Sequence, residues 1–220
     1  MPDFATMRVN MVDTQIRPSD VTRYPVIAAM LEVPREVFVP PAFSAVAYVD
    51  QNVPLGAGRV VLDPRTLGKM LDALAIEPGD RALDLGSGSG YGAALMARMG
   101  AEVSALEEDG DLAETARSAL AEADVAATGV NVVNGALTAG WPDGAPYDVI
   151  LVSGGAVEEV PAAVTGQLRE GGRIAALFIE GALGIVKLGH ATSAGLVWRD
   201  LFNAHAPLMP GFARERAFAL

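Results

Sequence analysis

Residues 84–97 read DLGSGSGYGAALMA. Gly86, Gly88 and Gly90 fall within five residues, directly after an apolar run that ends on Asp84. Alternating glycines between a strand and a helix let the backbone approach a ligand with no Cβ in the way. The helix that opens at Gly90 or Tyr91 presents free N–H groups and the positive end of its dipole. The spacing therefore predicts a strand, a ligand-binding turn and a helix.

Working outward, the same alternation repeats. "RALDLG" reads as a buried strand, and "YGAALMARMG" as a helix stopped by Gly100. "EVSALE" is the next strand, and "GDLAETARSALAEA" a helix with acids in its first turn. "VNVV" and "YDVILVS" are two further strands, and "VPAAVTGQLRE" reads as a helix ended by Gly171 and Gly172. "RIAALFI", "GIVKLG" and "LVWRDLF" complete seven strands. Strands alternating with helices predict an α/β fold, a mainly parallel seven-stranded sheet with helices on both faces. The last strands, joined without helices, are expected to be antiparallel at one edge.

The first 60 residues read differently. "PSDVTRYPVIAAMLEVP" has a helical period, with Ser19 as the expected N-cap and Pro34 as the stop. "REVFVPPAFSAVAYVDQNVPLGAGRVV" is rich in loop residues. In "LDPRTLGKMLDAL", Asp63 is placed to cap a helix and Pro64 to occupy its first position. Residues 1–79 are thus expected to form a helical and loop segment that packs on the core and, as the family resemblance described below implies, covers the acceptor site. Residues 80–220 are expected to form the ligand-binding domain.

Composition narrows the chemistry. The 220 residues include no cysteine, which excludes disulfides and thiolate metal sites and suits a reducing cytoplasm. Two histidines, His190 and His205, are too few and too far apart to make a metal centre. The formal charge of −11 repels phosphate backbones, so nucleic acid is a poor general partner. Residues 1–20 contain no apolar run of signal-peptide type, and "RIAALFIEGALGIV" is too short to span a membrane. A soluble, cytoplasmic protein is expected; oligomeric state is not legible.

Glu107, at the end of the second strand of the repeat, lies about 20 residues past the first glycine, where an acid accepts ribose hydroxyls. A nucleoside ligand follows. Two classes share this layout. A dinucleotide turn, G-x-G-x-x-G/A, is matched by Gly88, Gly90 and Ala93. A methyltransferase turn places an acid and an apolar residue before G-x-G-x-G, as Asp84, Leu85, Gly86, Gly88 and Gly90 do. Asp84 would repel a pyrophosphate and attract the amine and sulfonium of S-adenosylmethionine, so it favours the second class.

With these residues in view, the chain resembles the protein-L-isoaspartate O-methyltransferase family of Rossmann-like, class I methyltransferases. "VPREVFVPPAF", "AYVDQNVPLGAGR" and "DPRTLGKML" resemble its N-terminal segment, "ALDLGSGSGYGAALMA" its cofactor loop, and "APYDVILVSGGAVEEVP" with "QLREGGRI" its fourth strand and the turn into the fifth. The resemblance implies S-adenosylmethionine as cofactor, S-adenosylhomocysteine as product, and the carboxylate of an L-isoaspartyl residue in a damaged protein or peptide as acceptor. It implies cofactor contacts from Asp84, Gly86, Ser87, Gly88, Gly90, Tyr91, Glu107, Glu108, Gly135, Ala136, Leu137 and Ser153, and no metal.

Three departures stand out. Leu62 and Asp63 replace part of an Ile-Ser-x-Pro segment at the acceptor site, losing a hydroxyl and adding a charge. Ala136 replaces the acid of a Gly-Asp-Gly that meets adenine, and "FNAHAPLMPGFARERAFAL" is an unfamiliar ending. Three alternatives therefore stay open: a methyltransferase with another acceptor, a non-catalytic S-adenosylmethionine binder, and a nicotinamide-dependent oxidoreductase. A hydroxyl or amine acceptor would need a base, for which Asp63 and His205 are candidates. The plainer expectations are a helix cap for Asp63 and a surface or packing place for His205. Likewise Asp148 is expected to satisfy backbone N–H groups, Trp141 to pack under a loop, and Tyr91 either to touch the cofactor or to start its helix.

Overall fold

A computed structural model describes residues 3–56, 58–124, 129–181 and 183–214. The last six residues of the unfamiliar C-terminal stretch, 215–220, lie outside the described residues.

Seven strands form the central sheet: β3 (Arg81–Leu85), β4 (Glu102–Glu107), β5 (Val130–Asn134), β6 (Tyr147–Val157), β7 (Leu168–Glu180), β8 (Leu183–Thr192) and β9 (Gly195–Asn203). Their order is β5-β4-β3-β6-β7-β8-β9. The first five pair in parallel, and β8 and β9 add antiparallel pairs at one edge. Strand order reverses between β3 and β6, so the crevice at the carboxyl end of β3 is the expected ligand site of such a sheet.

Side chains along β3 and β6 alternate between two apolar layers. Ala82, Val149 and Leu151 face one; Leu83, Leu85, Ile150 and Val152 face the other. The two-residue period places successive side chains on opposite faces, and burial of both faces explains the nearly unbroken apolar runs. Helices α3 (Pro64–Leu74) and α4 (Tyr91–Arg98) pack into the first layer with α1 (Phe4–Met11) and α2 (Tyr24–Glu32). Leu67, Met70, Leu71 and Leu74 bury one stripe of α3, each side chain contributing about 1.5–3 kcal/mol relative to exposure. Helix α5 (Gly110–Glu122) lies against β4 and β5, and Asp109 caps it through the amides of Asp111 and Leu112.

Two expectations fail. Ser19 does not cap α2: its hydroxyl donates back to the Gln15 carbonyl, at 2.7 Å, and Asp20 turns the chain with a φ of 62°. Arg23 takes the cap position, and Asp72 of α3 accepts the amides of Thr22 and Arg23, so a partner 50 residues away does the capping. The stop before Pro34 is as expected, with α2 ending at Glu32. The long helix expected over "VPAAVTGQLRE" is a single turn, α6 (Ala162–Thr165). Pairing with β6 overrides the helical period from Gln167, whose carbonyl accepts the Tyr147 amide. Gly171 and Gly172 then lie in a bulge of β7, between Leu168 opposite Tyr147 and Arg173 opposite Val149.

The stretch read as loop contains a short hairpin, β1 (Val53–Gly56) and β2 (Arg59–Val61). It stands outside the main sheet and rests on β6. Residues 205–212 return beside it. Met209 donates its amide to the Ala156 carbonyl, and Ala156 donates to the Pro207 carbonyl, both at 2.8 Å.

Candidate functional site

The glycine turn is a folded hook fastened to the neighbouring strand. Gly86, Gly88 and Gly90 have φ values of 71°, 56° and 92°, a region that side chains with a Cβ rarely adopt. The amides of Gly86 and Ser87 both donate to the Leu106 carbonyl at 3.0 Å. Gly90 is the left-handed N-cap of α4, and Ser89 Oγ donates to the Phe38 carbonyl, tying the N-terminal segment to the turn.

Two buried carboxylates flank the hook. Asp84 is fully buried at the end of β3 and accepts hydrogen bonds from Ser87 Oγ, at 2.9 Å, and Ser153 Oγ, at 2.5 Å. A Cβ on Gly92 would stand 2.9 Å from Asp84 Oδ2, so the lack of a side chain there lets the carboxyl sit against α4. Burial pushes Asp84 up to about 6, opposed by the two hydroxyls and assisted by the charge of Glu107. Glu107, equally buried at the end of β4, accepts the Gly88 amide through Oε2 and the Glu108 and Asp109 amides through Oε1. It also pairs with Arg59 of β2, Nε to Oε1 at 3.3 Å, with the Arg59 side chain only 3% exposed.

The N-terminal segment packs beside the glycine turn. Leu62 is buried and lines a small void together with Ser87, Tyr91, Gly92 and Ser153. Its carbonyl accepts from Arg35 Nη2 at 2.8 Å, and Arg35 Nε donates to the Ala47 carbonyl at 2.7 Å. Arg35 is fully buried over the Tyr91 ring, 4.9 Å from its centroid. Tyr91 starts α4 with its ring between Arg35 and Phe38. Asp63 caps α3, accepting the Thr66 amide at 2.8 Å, and burial raises its pKa.

The remaining expected residues fall around this centre. Gly135, Ala136 and Leu137 follow β5 beside Glu107, and the Gly135 amide donates to the Glu107 carbonyl. Leu137 is buried and Ala136 exposed; Glu108 points outward and is exposed. His205 is exposed, and its carbonyl accepts from Asn52 Nδ2. Asp148 accepts the Arg81 amide at 2.8 Å, the backbone role expected of it. Sequence reasoning missed Arg35, Asn52 and Arg59. A buried arginine carries no local signal, because its partners are brought to it by the fold.

The donor set suits S-adenosylmethionine: an acid beside the glycine turn, a second acid at the next strand end, and backbone free of side chains. The void between Leu62, Ser87 and Ser153, on the side of the N-terminal segment, is about 10 Å³, room for roughly one water. Leu55 Cδ1 lies 2.6 Å from where a Gly88 Cβ would be, and Met209 Sδ lies 3.0 Å from the corresponding point on Gly86. The glycine surfaces that a ligand would use are covered by this chain's own side chains.

The parallel sheet, its switch point and the acid–glycine–acid hook define a Rossmann-like fold of the class I methyltransferase type. Residues 7–180 match the family described as Protein-L-isoaspartate(D-aspartate) O-methyltransferase (PCMT). The chain is 42% identical over 174 residues to a protein-L-isoaspartate O-methyltransferase of Methylorubrum extorquens (strain PA1), covering 79% of this chain and 75% of that one. It is 43% identical over 169 residues to the enzyme of that name from Methanoculleus marisnigri, covering 77% and 76%. The chain belongs to the protein-L-isoaspartate O-methyltransferase family. In fold it is similar to a Plasmodium falciparum protein described as a putative protein-L-isoaspartate O-methyltransferase in complex with S-adenosyl-L-homocysteine, with a TM-score of 0.79 and 20% identity over 95% of this chain and 99% of that one. A second solved protein-L-isoaspartate O-methyltransferase gives a TM-score of 0.76 at 23% identity, over 94% of this chain and 65% of that one.

Proposed function

We propose that the chain is an S-adenosylmethionine-dependent methyltransferase that methylates the carboxylate of isoaspartyl residues in damaged proteins or peptides, in the cytoplasm. Family membership supports the reaction class, and one observation favours a carboxylate acceptor. None of the described residues lining the void at Leu62 is a histidine, lysine, aspartate or glutamate. This lining favours an acceptor that arrives already nucleophilic. A carboxylate is ionised at neutral pH; an alcohol or ammonium is not. The cofactor, when bound, supplies an activated methyl group. The chain's own part is to hold Asp84 and Glu107 at fixed strand ends, to exclude water behind Leu62, and to keep the Leu62 backbone in place through Arg35.

Asp63 does not supply the missing base in this reading, because its carboxylate is turned to the Thr66 amide. Among the described residues no helix is long and apolar enough to cross a membrane. The test is transfer of labelled methyl from S-adenosylmethionine to an isoaspartyl peptide, with the aspartyl peptide as control. Base-labile methyl ester on the first alone is the expected result. Label in neither peptide, from protein shown to bind the cofactor, overturns the acceptor assignment.

A further inference from the structure

Asn134 ends β5 directly opposite Glu107, the last residue of β4. Its side-chain Nδ2 donates to two backbone carbonyls at once, those of Glu107 at 3.0 Å and Glu108 at 3.1 Å. The Gly135 amide donates to the same Glu107 carbonyl at 3.2 Å. The opposite side of this turn is held from within: the amides of Glu108 and Asp109 donate to Glu107 Oε1, at 2.8 and 3.1 Å. The turn from β4 into α5 thus has its N–H groups fastened to the Glu107 carboxylate and its C=O groups fastened to Asn134. We propose that Asn134 is a positioning residue for the methyl donor. It holds the backbone of Glu107, and through it the carboxylate that meets the ribose, at a fixed place beside Gly135–Leu137, the stretch that the family resemblance sets against adenine.

Chemistry explains why this position carries asparagine. A short side chain can bind two carbonyl oxygens only if its end bears two N–H bonds, and the carboxamide does. Serine brings one donor hydrogen. Aspartate has the same shape but sets two oxygens against two carbonyl oxygens. Reach matters too. Neighbouring strands lie about 4.8 Å apart, a gap that the short asparagine side chain spans. The carboxylate that results is fixed from three elements. Gly88 of the glycine turn donates to Oε2 at 3.0 Å, Arg59 of the β1–β2 hairpin pairs with Oε1 at 3.3 Å, and Asn134 of β5 holds the backbone.

The effect on binding is separable from the effect on folding. Asn134 is exposed, whereas Glu107 is fully buried. Water can satisfy the two carbonyls once the carboxamide is removed, so little stability depends on it. Water does not replace the tether between the two strand ends. Glu107 Oε1 is bonded to the amides of the peptides that follow it, so the carboxylate moves with that backbone. Binding groups have to be held within about 0.5 Å of their productive place. Loosening the turn therefore weakens the grip on the ribose while the fold stays intact.

The inference rests on the cofactor assigned under the proposed function, and the test separates the two. S-adenosylhomocysteine is titrated calorimetrically into the full-length wild-type chain, Asn134→Ser, Asn134→Ala and Asn134→Asp, each with its thermal unfolding recorded. Weaker binding is expected in that order, by about threefold, tenfold and thirtyfold, the scale of one or two lost hydrogen bonds and of an added repulsion. The unfolding temperatures of the serine and alanine variants should stay close to wild type, and serine, with one donor hydrogen, should restore part of what alanine loses. Faster exchange of the Glu108 and Asp109 amides in ligand-free Asn134→Ala should accompany the weaker binding. Asn134→Ser, the mildest change, carries the test if Asn134→Asp unfolds. Wild-type affinity in the folded variants overturns the positioning role and leaves the cofactor assignment standing. Affinity that falls only in step with the unfolding temperature overturns it as well, since Asn134 is then a structural tie alone. No binding by the wild-type chain overturns the cofactor assignment itself, and the positioning role with it.

Discussion

Asp84 and Ser153, on the adjacent parallel strands β3 and β6, are joined by a 2.5 Å hydrogen bond from Ser153 Oγ to Asp84 Oδ1. The pair fixes how the acid at the mouth of the crevice is held. Its ordinary pKa of 3.8 rises to about 6, chiefly through burial. The folded chain thus holds this proton more tightly than the unfolded chain does, and the ionised form opposes folding. Stability should fall as pH climbs from about 4 to about 6, then level off, with on the order of 3 kcal/mol at stake. Asp84→Asn should flatten this part of the profile. Chemical unfolding of both proteins between pH 4 and pH 7 checks it.

Ser153 itself has a pH-dependent weight. Above pH 6 its hydroxyl donates to a charged, fully buried oxygen; below that it meets a neutral carboxyl. Hydrogen bonds to charged groups contribute about 1.5–3 kcal/mol, roughly twice the neutral value. Ser153→Ala should therefore destabilise the chain by about that much at pH 7 and by clearly less at pH 5. An equal loss at both values would mean that Asp84 does not titrate in this window.

Arg35 is the least legible residue of the site and should be among the costliest to remove. Its two hydrogen bonds satisfy the carbonyls of Ala47 and Leu62, 12 and 27 residues away. Arg35→Ala leaves two buried acceptors bare and opens a cavity beside Tyr91. A loss of about 3–5 kcal/mol is expected in denaturant unfolding, with partial recovery in Arg35→Lys, whose single ammonium cannot span both carbonyls in the same fork.

The contrast between Asp84 and Arg35 shows where sequence reading works. The glycine hook, the end of β4 at Glu107 and the Asp63–Pro64 helix start are local patterns, set by backbone freedom, capping and a two-residue period. Those were readable because the residues that enforce them are neighbours in the chain. The Arg59–Glu107 pair joins positions 48 apart, and the hairpin that carries Arg59 looked like loop. The expected helix over 160–170 failed for the same reason: pairing between Gln167 and Tyr147 prevailed over an apolar period that was locally sound. The family resemblance implies a cofactor turn at Gly86–Gly90 but carries no sign that Leu55 and Met209 lie against it.

Asp63 separates two roles that one substitution would confuse. Asparagine and aspartate are equally good helix caps, whereas alanine is not. Asp63→Ala should lower stability by about 1 kcal/mol, and Asp63→Asn should leave it unchanged or slightly higher, because burial disfavours the charge. Methyl transfer to an isoaspartyl peptide should survive in Asp63→Asn if the carboxylate is only a cap. Loss of transfer in a stable Asp63→Asn protein would identify Asp63 as a base.

The family resemblance implies a hydroxyl where this chain has Leu62, and the surroundings of Leu62 set what introducing one should do. The side chain is 1% exposed and closes the void beside Ser87 and Ser153, while Arg35 holds the backbone carbonyl. Leu62→Ser removes buried apolar volume, so unfolding should become easier by about 2–4 kcal/mol, in the range of large-to-small core changes. The backbone should stay in place, because Arg35 does not depend on the side chain. Serine then adds a donor where an acceptor carboxylate would lie, and the space vacated by the isobutyl group lets it approach. Turnover of an isoaspartyl peptide should rise about tenfold in kcat/KM, the effect of one added hydrogen bond to a charged group. An unchanged rate in a folded Leu62→Ser protein would place the limit elsewhere, at the cofactor crevice rather than at the acceptor. Combining Leu62→Ser with Leu55→Ala decides between the two, since only a limit at the crevice makes the second substitution the one that raises the rate.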